Sequence, residues 1–272
     1  MITRPRSQVT VKLVLFDIDG TILWSDGAGR RAMQRALTNA FGTSGNASYR
    51  YDGKTDMQIV RDLMRMEGIA DALIDARMNA LLDEYVDALH EELRSRETHV
   101  ERFNGVVELI EALEARPDRR VGLLTGNIEI GAGAKLRAVG LDPARFIVNA
   151  FGSDHEVRGE LPAIAQRRAR EELGLHVQGD AIVIIGDTPA DIDCGRSIGA
   201  RAIAVATGRY SVDDLAEHSP VATAIALAPI DRPQSMSAGV SPMITMASPS
   251  TCSPSSSRAR RCAIAGTSPR TS

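Results

Sequence analysis

Five short apolar runs recur along the chain, and helical patterns separate the later ones. Strands that alternate with helices predict an α/β fold, in which a parallel sheet carries helices on both faces. Ligands bind such sheets beyond the carboxyl ends of the strands, so the residues that follow each run are the first candidates for a site. The runs cover residues 11–16, 121–124, 146–148, 181–185 and 202–205.

About 100 residues separate the first two runs, far more than the 10–12 or slightly more residues that a crossover needs. Within this gap, residues 27–100 have apolar positions at helical spacing throughout, for example Met57, Val60, Leu63 and Met64. We therefore expect a core formed by residues 1–24 and 101–229, with an inserted all-helical cap at residues 25–100.

The last 42 residues differ in composition from the rest of the chain. They contain 11 Ser and 5 Pro, few large apolar residues and no periodicity. Such a segment cannot bury enough apolar surface to offset its ordering entropy, which predicts disorder for residues 230–272. The abrupt change also raises the hypothesis of an out-of-frame extension, which the nucleotide sequence would test.

Charge and cysteine content exclude several classes of protein. The net charge is −3, and residues 231–272 carry five Arg and one acid, which leaves −7 for the remainder. An acidic body without a basic stripe argues against nucleic acid as a partner.

The three cysteines lack metal-ligand spacing, and no run has the roughly 20 apolar residues of a membrane span. We expect no signal peptide in the opening residues, and we expect a cytoplasmic protein with a small-molecule substrate.

Two acids, Asp17 and Asp19, follow the first apolar run directly. Burying charge at the end of a buried strand is costly without a metal or a charged partner, which predicts a functional site. An Asp-Gly hairpin turn would not need the second acid. A calcium loop of the EF-hand type is excluded, because Ile22 and Ala28 occupy the positions that require Gly and Glu.

Polar residues of complementary kinds follow two later runs. Thr125-Gly126-Asn127 supplies a hydroxyl and backbone N–H groups at the start of a helix, which is either an anion site or an ordinary turn. In the segment Gly186–Asp191, two carboxylates lie one helical turn apart, although Asp187 alone is also a common helix cap. With Asp17 at the same edge, these carboxylates predict a Mg²⁺ site, and Arg158 offers a fork that matches phosphate oxygens.

These motifs resemble those of the haloacid dehalogenase-like superfamily of phosphohydrolases, in particular its phosphoglycolate phosphatase-like members with a helical cap. The first motif is Asp17–Leu23, the second ends in Thr125, the fourth is Gly186–Asp191, and the match spans residues 11–210 in order and spacing. The resemblance implies a Rossmann-like core. The third motif departs from the pattern: its usual Lys is missing, Lys135 comes too early, and Arg158 is the nearest basic residue.

The resemblance also implies a mechanism. Asp17 would attack phosphorus to form an aspartyl phosphate, and Asp19 would transfer protons. Mg²⁺ would be held by Asp17, Asp187, Asp191 and the backbone carbonyl of Asp19. The groups implied to stabilise the phosphoryl group are Thr125, Gly126 and Arg158. The acid at position 19 favours phosphate esters over organic halides as substrates, because a halide ion leaves without needing a proton.

The implied substrate is a small phosphorylated metabolite. In the cap, the segment Gly53-Lys54-Thr55-Asp56 precedes a helix, and Lys54 is the candidate contact for an anionic leaving group. The alternative is that Asp56 caps this helix and Lys54 is solvated. Two other functions stay open at this point, a sugar phosphomutase of the same superfamily and a non-catalytic module that binds metal or phosphate. The sequence fixes neither the substrate nor the oligomeric state.

Overall fold

The computed structural model describes residues 11–224, so the predicted disorder of residues 230–272 lies outside the described residues. Its main sheet contains six strands, all paired in parallel, and a separate antiparallel pair contains two more. The strands of the main sheet are β1 (Lys12–Phe16), β4 (Arg119–Leu124), β5 (Val148–Ala150), β6 (Ile182–Gly186), β7 (Arg201–Val205) and β8 (Ala222–Ala224), and the pair consists of β2 (Leu23–Trp24) and β3 (Glu101–Arg102).

The order of strands across the main sheet is β5-β4-β1-β6-β7-β8, which confirms the predicted α/β architecture. The third apolar run, residues 146–148, was placed two residues early, because β5 starts only at Val148. Phe146 ends a short 3₁₀ turn (Pro143–Arg145) and is buried beneath the sheet instead. The sequence did not predict β8 or the two-residue strands β2 and β3.

Helices cover both faces of the sheet, and alternate residues of β1 show the two sides. Leu13 and Leu15 pack in one apolar cluster with α6, whereas Val14 and Phe16 pack in another with α4 and α5. This alternation follows from the two-residue period of a strand. The helices that follow β3 are α4 (Val106–Glu114), α5 (Glu129–Ala138), α6 (Leu161–Leu173), α7 (Pro189–Cys194) and α8 (Val212–Ala216).

Three helices lie between β2 and β3: α1 (Ala28–Phe41), α2 (Asp56–Met66) and α3 (Asp71–Arg94). They enclose an apolar cluster of their own, which Ile128 joins from the start of α5. The prediction of helix throughout residues 27–100 was wrong for residues 42–55, 67–70 and 95–100, and the first of these stretches contains turns and three left-handed glycines, Gly42, Gly45 and Gly53. The division into core and cap at residues 25–100 stays a prediction, and "cap" below denotes α1–α3 with their connections.

Two expectations about the chain as a whole concern its surroundings and its cysteines. Within the described part of the chain, no helix has both the length and the apolar character to cross a bilayer. The cytoplasmic location stays a prediction. Cys194 is buried as a free thiol in α7, and the other two cysteines lie outside the described residues.

Candidate active site

The site forms where β4, β1 and β6 end side by side. Because β1 lies between the other two in a parallel sheet, the residues after all three strands meet at one edge. Asp17 extends the pairing by donating its N–H to the Ile185 carbonyl at 2.9 Å. Thr125 and Asp187 follow the flanking strands directly, so the sheet itself brings together the first, second and fourth motifs.

Gly20 allows the chain to turn sharply after the two acids. Its φ of +80° is a left-handed conformation that favours glycine. A Cβ at this position would also lie 2.2 Å from a carboxylate oxygen of Asp187. Glycine is therefore required both for the turn and for the close approach of Asp187, the acid that follows β6.

Three buried carboxylates form an acidic cluster, defined as Asp17, Asp187 and Asp191. One oxygen from each lies within 4.8 Å of the others. Burial raises the pKa of Asp17 to about 6, with a further rise from the charge of Asp191 and an opposing effect of Arg158. Burial and the neighbouring charges of Asp191 and Asp17 raise the pKa of Asp187 well above its usual value. The cluster carries more negative charge than its protein neighbours balance, which is the environment that a divalent cation stabilises.

Among the described residues, Arg158 places a positive charge next to this cluster. Its guanidinium is buried, forms an ion pair with Asp191 and lies 3.4 Å from Asp17. The chain positions it on a 3₁₀ turn (Arg158–Glu160) that leads directly into α6. Its Nε is buried and has no hydrogen-bond partner among residues 11–224. One donor of the guanidinium group is thus unpaired in the described part of the chain.

Asp191 makes two contacts at the start of α7, one with each carboxylate oxygen. One of its carboxylate oxygens accepts a hydrogen bond from the Thr188 N–H at 3.0 Å, which completes a capping box, and the other faces Arg158. Thr188 is the N-cap of this helix, so the alternative that Asp187 merely caps it was wrong. Asp187 instead accepts a hydrogen bond from the Thr21 hydroxyl at 3.3 Å.

The Thr125-Gly126-Asn127 turn is partly satisfied by the protein. Asn127 donates from its backbone and its side chain to the Thr125 hydroxyl, at 3.3 and 2.8 Å. The next two N–H groups, of Ile128 and Glu129, donate to Asp56 and Ser153. The expectation of several freed N–H groups was therefore wrong, and within residues 11–224 the Gly126 N–H is the one in this turn without an acceptor.

Asp19 lies in a different setting from Asp17. Lys135 Nζ and Asn127 Nδ2 both donate to its Oδ2, at 2.6 and 2.8 Å, and Ser25 Oγ donates to its Oδ1 at 3.2 Å. Burial opposes its ionisation, but the charge of Lys135 and these hydrogen bonds lower its pKa below the usual value. Sequence reasoning set Lys135 aside because it comes too early for the third motif.

The cap segment Gly53-Lys54-Thr55-Asp56 docks against the turn after β4. The Asp56 N–H donates to the Gly126 carbonyl at 2.8 Å, and a Cβ on Gly126 would lie 2.0 Å from the Lys54 carbonyl oxygen. Gly126 is therefore needed for the close contact of two backbones. The Thr55 hydroxyl donates to the Glu156 carbonyl at 2.6 Å and fixes the segment from the other side.

The structure differs from the alternative in which Asp56 caps α2 and Lys54 is solvated. Thr55, not Asp56, is the N-cap of α2, and the buried Asp56 carboxylate accepts a hydrogen bond from the Ile128 N–H at 2.9 Å. Burial raises the pKa of Asp56 to about 6, although the charge of Lys135 opposes the rise. Lys54 Nζ lies 3.7 Å from Asp62 and 5.2 Å from the ring centre of Tyr49, and Lys54 lines the cleft.

A cleft of about 180 Å³ connects these groups. It is lined by core residues of all three motifs and by polar residues of the cap, among them Arg30, Tyr51 and Lys54. Every site residue that the sequence singled out lines this cleft except Asp191. Asp191 contacts Arg158 and belongs to the acidic cluster. Sequence reasoning missed Ser25, Asp56, Asn127 and Lys135 as members of the site.

Comparison with known proteins adds two findings. The chain matches the family model of haloacid dehalogenase-like hydrolases over residues 14–196, and no curated protein matches it. Its fold is similar to that of a hydrolase from Pseudomonas syringae, with 20% sequence identity and a TM-score of 0.61 over 78% of this chain and 92% of the other.

Two further solved structures have the same fold. One is CbbY from Rhodobacter sphaeroides in complex with phosphate, with 20% identity and a TM-score of 0.58 over 77% of this chain and 97% of that one. The other is a predicted phosphoglycolate phosphatase from Haemophilus somnus, with 18% identity and a TM-score of 0.56 over 77% and 92%. At these identities the similarity establishes the fold.

Proposed function

Because this chain belongs to the haloacid dehalogenase-like hydrolase family, we propose that it is a Mg²⁺-dependent phosphatase that acts on a small phosphorylated metabolite. One observation carries the proposal: Asp17 and Asp19 line the same cleft, where Asp17 belongs to the acidic cluster and lies 3.4 Å from Arg158. A nucleophile, a proton carrier, a cation site and an anion-binding fork are the parts that phosphate ester hydrolysis requires.

Asp17 is the proposed nucleophile. A carboxylate oxygen of Asp17 forms a bond to phosphorus while the bond from phosphorus to the ester oxygen breaks, which divides one difficult displacement into two. Arg158, 3.4 Å away, favours the ionised and nucleophilic form of Asp17 and so opposes the effect of burial on its pKa.

Asp19 is the proposed acid and base. In the first step it gives a proton to the leaving oxygen, and in the second it takes a proton from the water that attacks phosphorus and releases phosphate from Asp17. Both steps require a carboxyl group that faces the reacting atoms, and the Asp19 side chain is 41% exposed toward the cleft that it lines.

Three groups are proposed to bind the oxygens of the phosphoryl group: Thr125, the Gly126 N–H and Arg158. All three line the cleft beside Asp17, which supports this assignment, and the guanidinium fork of Arg158 matches the oxygens of phosphate. Preorganised donors of this kind stabilise charge that develops in the transition state.

The acidic cluster fits a divalent cation of the kind that binds oxygen ligands. Three buried carboxylates share one small volume, where burial and their mutual repulsion raise the pKa values of Asp17 and Asp187, and a bound cation would counter both effects. Asp17, Asp187 and Asp191 would hold the ion, with the backbone carbonyl of Asp19 as the further ligand implied by the family. When bound, Mg²⁺ neutralises charge on the phosphoryl oxygens.

The cap side of the cleft favours a small anionic substrate. Lys54 and Arg30 line it together with Tyr51, and these cationic side chains at the cleft suit a small anionic substrate. Lys54 is the proposed contact for the leaving group, and the backbone contacts of the Gly53–Asp56 segment hold it over the site. We therefore propose a substrate in which the phosphate ester is carried by a short polar or acidic molecule, as in a phosphoglycolate phosphatase-like enzyme.

A panel of phosphorylated metabolites assayed with Mg²⁺ tests the proposal, with Asp17→Asn and Arg158→Ala as control variants. We expect steady release of inorganic phosphate from at least one small monoester, loss of release in both variants, and loss on chelation of the metal. Steady release from a single monoester would also exclude a phosphomutase, which retains the phosphate for a second hydroxyl. No release from any compound would contradict the proposal and favour a binding module.

A further inference from the structure

Lys135 is buried at the site without a role in the mechanism above. Its side chain is 5% exposed, and burial of an ammonium group is costly unless partners replace its hydration. The chain contains three lysines, and the other two, Lys12 and Lys54, are less buried. A buried lysine beside the proposed acid and base therefore calls for an explanation beyond packing.

The surroundings of Lys135 are arranged to admit its ammonium group. It lies on α5 after four small residues, Gly131 to Ala134, and the cap helices pack over this part of the helix. From the cap side, a Cβ on Gly29 in α1 would lie 3.2 Å from Lys135 Nζ, so a glycine leaves the space.

The hydrogen bonds of Lys135 are directional. Nζ donates to Asp19 Oδ2 at 2.6 Å and to Asn127 Oδ1 at 2.5 Å, while Asn127 Nδ2 donates to the same Asp19 Oδ2 at 2.8 Å. The three side chains thus form a closed triangle. Oδ2 has two strong donors, whereas Oδ1 has only the longer contact from Ser25 at 3.2 Å.

We propose that Lys135 is a positioning residue for Asp19: together with Asn127 it fixes Oδ2 and leaves Oδ1 to exchange the proton with the leaving group and with water. This inference rests on the proposed phosphatase function. In the first step Asp19 acts in its protonated form, after Oδ1 has taken up a proton from solvent: the bond from Asp17 to phosphorus forms, the bond to the ester oxygen breaks, and the proton moves from Oδ1 to that oxygen. In this proposal Lys135 acts on the reaction through Asp19 and not through a contact of its own with the substrate.

The leaving group separates this role from a purely structural one. An alkyl phosphate needs a proton on its leaving oxygen, whereas 4-nitrophenyl phosphate has a leaving group that departs without one. The ratio kcat/KM reports on steps up to the first irreversible one, here the transfer to Asp17. A lysine that positions Asp19 therefore matters for alkyl esters and little for the aryl ester.

The experiment compares the wild type with Lys135→Met on the best alkyl monoester of the panel and on 4-nitrophenyl phosphate. We expect kcat/KM to fall by about 100-fold for the alkyl ester and by less than about 5-fold for the aryl ester. Lys12→Met removes a lysine at the opposite end of β1 and should leave both values unchanged. If Lys135→Met melts below the assay temperature, Lys135→Gln, which keeps one donor, supplies the same ratio of losses.

Equal losses on the two esters, or no loss on the alkyl ester, would overturn the inference while the wild type stays active. Absence of phosphate release by the wild type itself would overturn the proposed function and this inference with it. The two failures are therefore distinguishable by the activity of the unmodified enzyme.

Discussion

Asp17 and Asp19 are separated by one residue in the chain, but they lie in opposite electrostatic surroundings. Asp17 is buried with two further carboxylates and one guanidinium, and its pKa is raised to about 6. Asp19 is half-exposed, receives donors from Lys135, Asn127 and Ser25, and has a lowered pKa. The difference teaches that the balance of charge around each acid, and not its place in the motif, separates the two roles.

The two sides also differ in what they lack. The side of Asp17 has three acids and Arg158, so it has an excess of negative charge that a divalent ion would balance. The side of Asp19 has Lys135 within hydrogen-bond distance and the buried Asp56 nearby. The negative charge around Asp17 exceeds what Arg158 balances, whereas Lys135 balances the charge of Asp19.

The largest expected effect is on the nucleophile. Asp17→Asn should reduce phosphate release by more than about 10⁴-fold, because no other group takes its place in the covalent step. Initial rates with Mg²⁺ on the best monoester measure it, and circular dichroism checks that the fold is retained. A variant that keeps more than about a tenth of the activity would contradict the assignment of Asp17.

Arg158→Ala removes the guanidinium from the side of Asp17. We expect kcat/KM to fall by about 10²–10³-fold, because one preorganised donor to the phosphoryl group is lost. Arg158→Lys keeps the charge without the fork and should recover part of the loss. The difference in kcat/KM between the two variants and the wild type measures how much the two-pronged hydrogen-bonding geometry of the guanidinium contributes beyond its charge. Equal activity of Arg158→Ala and the wild type would sink the proposed contact with phosphate.

Stability without metal should respond in opposite directions on the two sides. Asp187→Asn relieves repulsion in the acidic cluster and should raise the free energy of unfolding in EDTA by about 1 kcal/mol. Asp19→Asn leaves buried Lys135 without its carboxylate and should lower it by about 2 kcal/mol. Urea unfolding at pH 8 measures both, and changes of the same sign would remove the contrast.

The pH dependence of the same variants gives the smallest effect. The pKa of Asp187 is raised, so its ionisation lowers the stability of the metal-free protein as pH rises, and Asp187→Asn should weaken this fall. The pKa of Asp19 is lowered, so it stabilises the protein at neutral pH and loses this effect on acidification. Asp19→Asn should therefore flatten the loss of stability toward acid pH. Unfolding free energies between pH 4 and pH 8 provide the test.

Much of the core could be predicted from the sequence, because its signals are local. Short apolar runs ending in Asp17, Thr125 and Asp187 mark both the strands and the edge where they meet. Strands without a long apolar run were missed: β2 and β3 have two residues each, and β8 has three. The non-helical stretch at residues 42–55 was missed because the periodicity on either side of it was extended across the gap.

The less predictable part of the site depends on tertiary contacts. Lys135 reaches Asp19 only because α5 lies between the sheet and the cap, and no spacing in the chain encodes that. A lone Lys after a run of four small residues was the available signal. A helix cap was one alternative considered for Asp56, but its acceptor role toward Ile128 follows from how the cap docks on the turn after β4.

The central claim is that Asp17 carries the phosphoryl group while Asp19 moves protons. It is tested most directly by incubating Asp19→Asn with 4-nitrophenyl phosphate and Mg²⁺, quenching in acid and mapping the phosphoryl group by peptide mass spectrometry. Transfer to Asp17 does not require the proton, but release by water does, so the intermediate should accumulate on residue 17 and be absent from Asp17→Asn. A phosphoryl group on another residue, or none in Asp19→Asn while it still turns over the ester, would contradict the account.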